Sequence, residues 1–363
     1  MKSQIIILRV IAVFIILISV SCTDQSKPKK THTGVEYYRL LQPSQTPFDM
    51  EKGIHPITAR QAKTINSYKF SYDQSGRLQT VEYVRDNILL GYSFLGFIAK
   101  IVYEYSGNKQ FKYYFNNKNE PIESASVFKA EYTINDQGIR TSVKFFGKYG
   151  EPVENKNKIH SFIWEVLPDG MVRELRYDLT GKETVLNPFC PFYELRFTYN
   201  ENGFVTRMAN YKADTLYNCT AENCGEVGVS YFIFEPNKHG DVEKFLVFNA
   251  TGITSNVYWG WSKRLNKYDK NGYVLETEFF DQDDEYIGGK RVPVIQYSYD
   301  IHGAVTEVRN LDKDRKPYNN PENRVALTIY KYDENGQRTE TLRFDKEGTP
   351  IHIKYDLSNC CCL

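Results

Sequence analysis

The chain has 363 residues, enough for one to three domains and a substantial core. Its formal net charge is +1 with 25% charged residues, which argues against the strongly basic surface of a nucleic-acid-binding protein. Aromatic residues make up 15% of the chain, and they favour strands because flat rings pack well on a pleated sheet. Composition therefore predicts a β-rich globular protein with no nucleic-acid partner.

The N-terminus carries an export signal. The stretch MKSQIIILRVIAVFIILISVSC places Lys2 and Arg9 around an apolar run, with small residues and Cys22 after it. The run is short for a membrane-spanning helix. It resembles a bacterial lipoprotein signal, although Ser19 stands where that pattern prefers a leucine. The resemblance implies lipid attachment at Cys22; an ordinary cleaved signal or a single membrane anchor is the alternative.

Four parts follow from this start. Residues 1–22 are the predicted signal with its lipid-attachment cysteine, and residues 23–57 are a polar tether and N-terminal cap. Residues 58–357 are the predicted β-hairpin repeats, and residues 358–363 are a cysteine-rich tail. The best helix candidates are VEYYRLL at 35–41 and TARQAKTI at 58–65, which we expect to cover the first strand edge.

A repeat dominates the rest of the chain. Alternating aromatic or apolar residues precede each of nine turn glycines, spaced 31, 31, 32, 33, 37, 32, 31 and 33 residues apart. The glycines are Gly76, Gly107, Gly138, Gly170, Gly203, Gly240, Gly272, Gly303 and Gly336. A second polar turn, such as DQDDEY, DKDRKP or DKEGTP, follows each glycine after about twelve residues in most copies. Each unit is therefore a strand, a tight turn, a second strand and a second turn.

Nine units supply about eighteen strands, too many for one strongly twisted open sheet. We therefore predict an all-β fold in which nine tandem hairpins of about 32 residues form a coiled or curved antiparallel sheet, similar to a β-solenoid. A β-propeller is the alternative, although its four-stranded blades usually need a longer period.

The turns YSYDIHG and YKYDENG resemble the YD repeats of Rhs-type bacterial proteins and, more loosely, MORN-type hairpin repeats. The similarity covers most of residues 65–356. The period is longer than that of Rhs repeats, and no self-cleaving core or variable toxin tip is visible. The resemblance therefore implies an exported β-array and does not imply a toxin activity.

Sequence motifs for catalysis are scarce. The six histidines show no metal-ligand spacing, and no nucleophile elbow or phosphate-binding glycine loop is present. His239 and His302 occupy the same place before a turn glycine, which indicates a role in the turn. These observations favour a protein that is not an enzyme, and they predict no cofactor.

Three local features are candidate sites. Tyr258, Trp259 and Trp261 in NVYWGWSK predict an aromatic surface that stacks on a sugar, with burial in the core as the alternative. The acidic run containing Asp281, Asp283 and Asp284 predicts either a Ca²⁺ site or a polar turn.

The cysteines form the third feature. Cys219 and Cys224 predict a disulfide that closes the loop in the 37-residue interval, with two free thiols as the alternative. The pairing of Cys190 and of Cys360, Cys361 and Cys362 stays open.

The sequence thus predicts an exported, lipid-anchored repeat protein of the bacterial cell envelope, at the outer membrane or cell surface, that binds or scaffolds a protein or glycan. A hydrolase or lyase acting on glycans and an Rhs-like shell around a partner are the alternatives. The copies around 188–230 and 256–290 depart most from the repeat, so we expect specificity to reside there.

Overall fold

The computed structural model describes residues 32–42, 50–91, 95–186, 192–218, 228–254, 260–289 and 291–352. The described residues from Thr33 onward form one compact unit. Its secondary structure is almost entirely β, with one 3-10 turn at Gln61–Lys63.

The described residues form 23 strands. The first part of the sheet contains β1 (Val35–Leu41), β2 (Gly53–Ile57), β3 (Ser67–Tyr72), β4 (Leu78–Arg85), β5 (Ile88–Leu89), β6 (Lys100–Ser106), β7 (Lys109–Phe115), β8 (Pro121–Ile122), β9 (Lys129–Ile134), β10 (Arg140–Phe146), β11 (Ser161–Val166) and β12 (Val172–Tyr177). The second part contains β13 (Glu194–Tyr199), β14 (Val205–Lys212), β15 (Thr215–Leu216), β16 (Tyr231–Pro236), β17 (Val242–Phe248), β18 (Lys263–Tyr268), β19 (Val274–Phe280), β20 (Val294–Tyr299), β21 (Val305–Leu311), β22 (Leu327–Tyr332) and β23 (Arg338–Phe344).

One continuous antiparallel sheet contains all of these strands. Its first edge is β2, which pairs with β1, and β1 pairs with β3. Each later long strand then pairs with the preceding one as far as β23, while β5, β8 and β15 pair only with β4, β7 and β14. The nine hairpins run from β3–β4 to β22–β23, so the predicted all-β repeat fold is confirmed. A propeller is excluded because its blades would be separate sheets.

The predicted helix at residues 35–41 is wrong. This segment is strand β1, and it lies in the sheet between β2 and β3. The pairing of Tyr38 with Tyr68 and with Pro56 fixes its register. Hydrogen bonding along both edges thus outweighs the weak helix preference of a seven-residue segment. At residues 58–65 only the short 3-10 turn forms.

Two hydrogen-bond patterns repeat through the array. The first turn of each hairpin is the tight turn that joins its two strands. In these turns a side-chain oxygen accepts hydrogen bonds from the backbone N–H groups two and four residues later. Asp333, for example, accepts from Asn335 and Gln337 at 3.0 and 2.8 Å. In addition, the tyrosine before the turn donates to a backbone carbonyl of the preceding hairpin, as Tyr332 does to Val305 at 2.8 Å. Equivalent bonds join Tyr105 to Leu78, Tyr268 to Val242 and Tyr299 to Val274. The YD motif therefore closes its own turn and fastens neighbouring units together.

The sheet curves until its later turns reach its own beginning. Arg85, the last residue of β4, donates to the backbone carbonyl of Glu334 in the first turn of the ninth hairpin at 2.7 Å. Gly91, also in the first unit, donates to the Gln337 side chain at 2.8 Å. Because the ninth hairpin contacts the first, the sheet forms a coil, and one full revolution of this coil contains eight hairpins.

A line of such contacts, which we call the seam, covers the first edge of the sheet. Lys52 donates to the backbone carbonyl of Asn202, in the first turn of the fifth hairpin, at 2.8 Å. The Nε2 atom of His55 lies 2.7 Å from the Asp241 carboxylate, in the first turn of the sixth hairpin. The backbone N–H of Asn66 donates to the His302 carbonyl, in the first turn of the eighth hairpin, at 2.9 Å. The seam protects strand edge β2 from pairing with other chains.

We call the side of the sheet that carries Phe70, Ile101, Tyr132, Leu195 and Val247 the inner face, and its opposite side the outer face. Side chains of the inner face form one hydrophobic cluster that extends from Leu41 to Val247. Buried Tyr132 and Leu195 have no exposed surface, so the first six hairpins enclose a packed core.

Candidate functional site

Beyond β17 the inner face becomes more open and more polar. Its side chains on β18 to β20 include Arg264, Asn266, Phe279, Ile295 and Tyr297, all of which are half-buried. Aromatic and polar groups mixed on a partly exposed concave face are typical of ligand-binding surfaces. The last three hairpins therefore differ from the sealed core of the first six.

A cavity of about 210 Å³ opens at the end of this surface where the connections between hairpins lie. Its lining is mainly apolar with a polar edge: Trp261, Phe279, Ile287, Val292, Ile295, Arg291, Asn320 and Glu322. Three separate connections and strands β19 and β20 contribute to it. The sequence of no single unit could reveal this combination.

Trp261 is held in place by its neighbours on the inner face. Its ring lies edge-on to Phe245 with a centroid distance of 5.2 Å, and 5.5 Å from the Phe279 ring. Packing of this kind fixes the orientation of an aromatic wall before any ligand binds.

The polar edge of the cavity is also ordered. Arg291 Nη1 donates to Glu322 Oε1 at 2.7 Å, and both side chains are partly exposed. The Asn320 side chain accepts the Glu322 N–H at 2.9 Å, while the Asn320 carbonyl accepts the Arg324 N–H at 2.7 Å. The edge thus presents a guanidinium, a carboxylate and an amide close to an apolar floor.

The structure describes one residue of the predicted aromatic site. Trp261 lines the cavity, whereas Tyr258 and Trp259 lie outside the described residues. Sequence reasoning missed Arg291, Asn320 and Glu322, which lie in connections that do not follow the repeat. The glycine pair Gly288 and Gly289 was the one signal that the connection before Arg291 is irregular.

The acidic run at 281–285 forms a turn. Asp281 accepts the N–H groups of Asp283 and Glu285 at 2.9 and 3.0 Å, as Asp312 and Asp345 do in the next two units. Asp284 pairs with Lys263. In the part of the chain that the structure describes, no group of three or more His, Cys, Asp or Glu side chains could hold a metal ion. The Ca²⁺ site stays a prediction.

A second acidic cluster lies on the outer face of the same hairpins. Glu276 accepts from Lys267 at 2.8 Å and from Arg315 at 2.9 Å, and Glu278 also pairs with Arg315. Burial raises the pKa of Glu276, but hydrogen bonds from Lys267, Gln296 and Arg315 outweigh it and lower the pKa to about 2. Because alternate residues of β19 face opposite ways, these carboxylates are on the other side of the sheet from Phe279 and the cavity.

Two predictions for histidine are confirmed. The backbone N–H of His239 donates to Asn237 at 2.9 Å, and that of His302 to Asp300 at 2.8 Å, so each is a structural member of its turn.

The seven cysteines all lie outside the described residues, so the disulfide and the lipid attachment at Cys22 stay predictions. No helix among the residues that the structure covers is long and apolar enough to cross a bilayer.

No protein-family model and no curated protein matches the chain. Two similar solved structures are crystal structures of TcdB2-TccC3-Cdc42 and of TcdB2-TccC3 without its hypervariable C-terminal region. Their sequence identities to this chain are 9% and 11%, and their TM-scores are 0.30 and 0.31. In both, the similarity covers 77% of this chain but only 14% of the other. The fold assignment rests on the strand pairing described above, and the YD-repeat resemblance stays a prediction.

Proposed function

We propose that this protein is an exported, lipid-anchored binding protein of the bacterial cell envelope, and that its ligand is a glycan. The N-terminal signal and Cys22 support export and anchoring. The proposal that the ligand is a glycan rests on the cavity beside Trp261, because this cavity combines an ordered aromatic wall with a polar edge.

The chemistry of the cavity suits a sugar ring. The C–H face of a pyranose packs on an aromatic side chain, and its hydroxyl groups both donate and accept hydrogen bonds. Arg291 offers donors, Glu322 offers acceptors and Asn320 offers both. At about 210 Å³ the cavity is smaller than sites for drug-sized ligands, so it fits one ring of a longer chain.

Binding is favoured over the two alternatives. Glycoside hydrolysis usually requires two carboxyl groups that flank the scissile bond, and Glu322 is the one carboxylate among the described residues that line this cavity. Glu276 and Glu278 are on the outer face. A shell around a partner would need an empty interior, whereas the inner face of the first six hairpins is filled by its own side chains.

Glu322→Gln and Trp261→Leu test the proposal in the full-length protein, solubilised in detergent and screened against immobilised glycans. Each variant is expected to weaken binding of the same glycans by about tenfold or more, since each removes a contact to the ring or its hydroxyl groups. Tyr149→Ala is the control, because Tyr149 is an exposed aromatic residue in a second turn of the third hairpin, far along the sheet from the cavity. Unchanged binding in both cavity variants, or no glycan bound by the wild type, would contradict the proposal.

A further inference from the structure

Arg264 on β18 lies in an aromatic part of the inner face. Its guanidinium carbon is 5.2 Å from the centre of the Phe245 ring, and Phe279 is its cross-strand partner on β19. Its Nε atom is buried without a hydrogen-bond partner, while the side chain as a whole is half-buried. A cation on the open part of the concave face thus retains surface that a ligand can reach.

The absence of a nearby carboxylate distinguishes Arg264 from two other cations of the inner face. Lys112 pairs with Glu51 at 2.7 Å, and Arg176 lies 3.8 Å from Glu174. Among the described residues no carboxylate lies within ion-pair distance of Arg264. Burial lowers the pKa of its guanidinium, whereas the nearby Tyr268 and Tyr297 hydroxyl groups raise it. A partly desolvated cation without a counter-charge is costly, and an anionic ligand group would offset that cost.

Arg264 is one side chain away from the cavity. Phe245 and Phe279 flank Arg264 on the neighbouring strands, and both contact Trp261. Phe279 also lines the cavity itself. A chain of sugar rings with one ring beside Trp261 would therefore place an adjacent ring along the inner face near Arg264.

We propose that the glycan is acidic, and that Arg264 binds a carboxylate on the sugar next to the one in the cavity. The inference rests on the proposed function and adds the ligand class. A guanidinium pairs with a carboxylate through two parallel hydrogen bonds, which a neutral sugar does not offer. An acidic peptide would share the charge, but the ring-sized cavity and its mixed polar edge favour a sugar.

The test compares two ligands that differ only in charge. Hexameric oligogalacturonate and its fully methyl-esterified form have the same rings, and each is titrated into the full-length protein in detergent. The wild type is expected to bind the acid at least about tenfold more tightly than the ester. Arg264→Gln is expected to bind both at the affinity of the ester, and Arg264→Lys to retain part of the preference. Arg309→Gln is the matched control, because it removes the same charge from the outer face, where Arg309 pairs with Glu307.

The outcomes separate this inference from the proposed function. Equal binding of acid and ester by the wild type, with binding still lost in Trp261→Leu, overturns the acidic class and leaves the glycan site standing. No binding of either overturns the acidic class, and the screen against immobilised glycans then decides whether the glycan site itself stands. Tighter binding of poly-aspartate than of oligogalacturonate, dependent on Arg264, overturns the assignment to a glycan. A preference that weakens as salt rises from about 0.05 to 0.5 M in the wild type supports the charge contact without any variant.

Discussion

Glu51→Gln is expected to lower the free energy of unfolding by about 3 kcal/mol. Glu51 Oε1 pairs with Lys112 Nζ at 2.7 Å, and Tyr103 donates to the same carboxylate. The side chains of the pair are only 8% and 4% exposed. Neutralising Glu51 removes the carboxylate that pairs with the buried Lys112 ammonium, and little water can replace it. Urea denaturation followed by tyrosine fluorescence measures the change.

Two further variants show whether the buried charge is the cause. Glu123→Gln changes an exposed carboxylate in the same part of the sheet and is expected to alter the unfolding free energy by less than about 0.5 kcal/mol. Combining Glu51→Met with Lys112→Met removes both charges and is expected to recover most of the loss. A Glu51→Gln variant as stable as the wild type would show that the buried Glu51–Lys112 pair does not contribute to stability.

Gly272→Ala is expected to destabilise the protein by about 2–5 kcal/mol, and Gly170→Ala by about 1–2 kcal/mol. Both glycines occupy the same position of a first turn, with φ of +88° and +83°, where any other residue is strained. A methyl group at Gly170 would meet no atom within 4 Å. At Gly272 it would overlap the His55 ring, which is held by Asp241.

Comparing Gly272→Ala with Gly170→Ala isolates the contribution of the seam to stability. The cost of placing alanine at a positive φ is nearly equal in the two turns. The difference between the two thermal unfolding curves then reports the packing of the seventh turn against β2. Equal losses in the two variants would mean that the seam does not form in solution.

The hairpins were predictable because their causes are local. Alternating aromatic residues, a polar residue such as Asp333 and a glycine such as Gly336 define each turn within ten residues of sequence. The seam was not predictable, since Arg85 and Glu334 are 249 residues apart and meet only through the accumulated twist of the sheet. The strand at 35–41 was mistaken for a helix because its partners lie elsewhere in the chain.

The candidate site was predicted only through its aromatic residue. Paired tryptophans are rare in this chain and drew attention to Trp261. Arg291 and Glu322 are ordinary surface residues in sequence, and only folding brings them together across 31 positions. Arg264 lies within a regular strand, so its position among aromatic rings depends on Phe245 and Phe279 of neighbouring strands.

The coil is the central feature of the structure, because it seals the inner face of the first six hairpins and leaves that of the last three open. The most direct test is the distance between spin labels on p-acetylphenylalanine at Ile88 and Asn335, both exposed and next to the Arg85–Glu334 contact. The coil predicts a single short distance, with the labels side by side. An uncoiled sheet with the same strand order would separate β4 from β22 by about 70 Å at about 4.8 Å per strand. A long or very broad distance distribution would therefore contradict the coil.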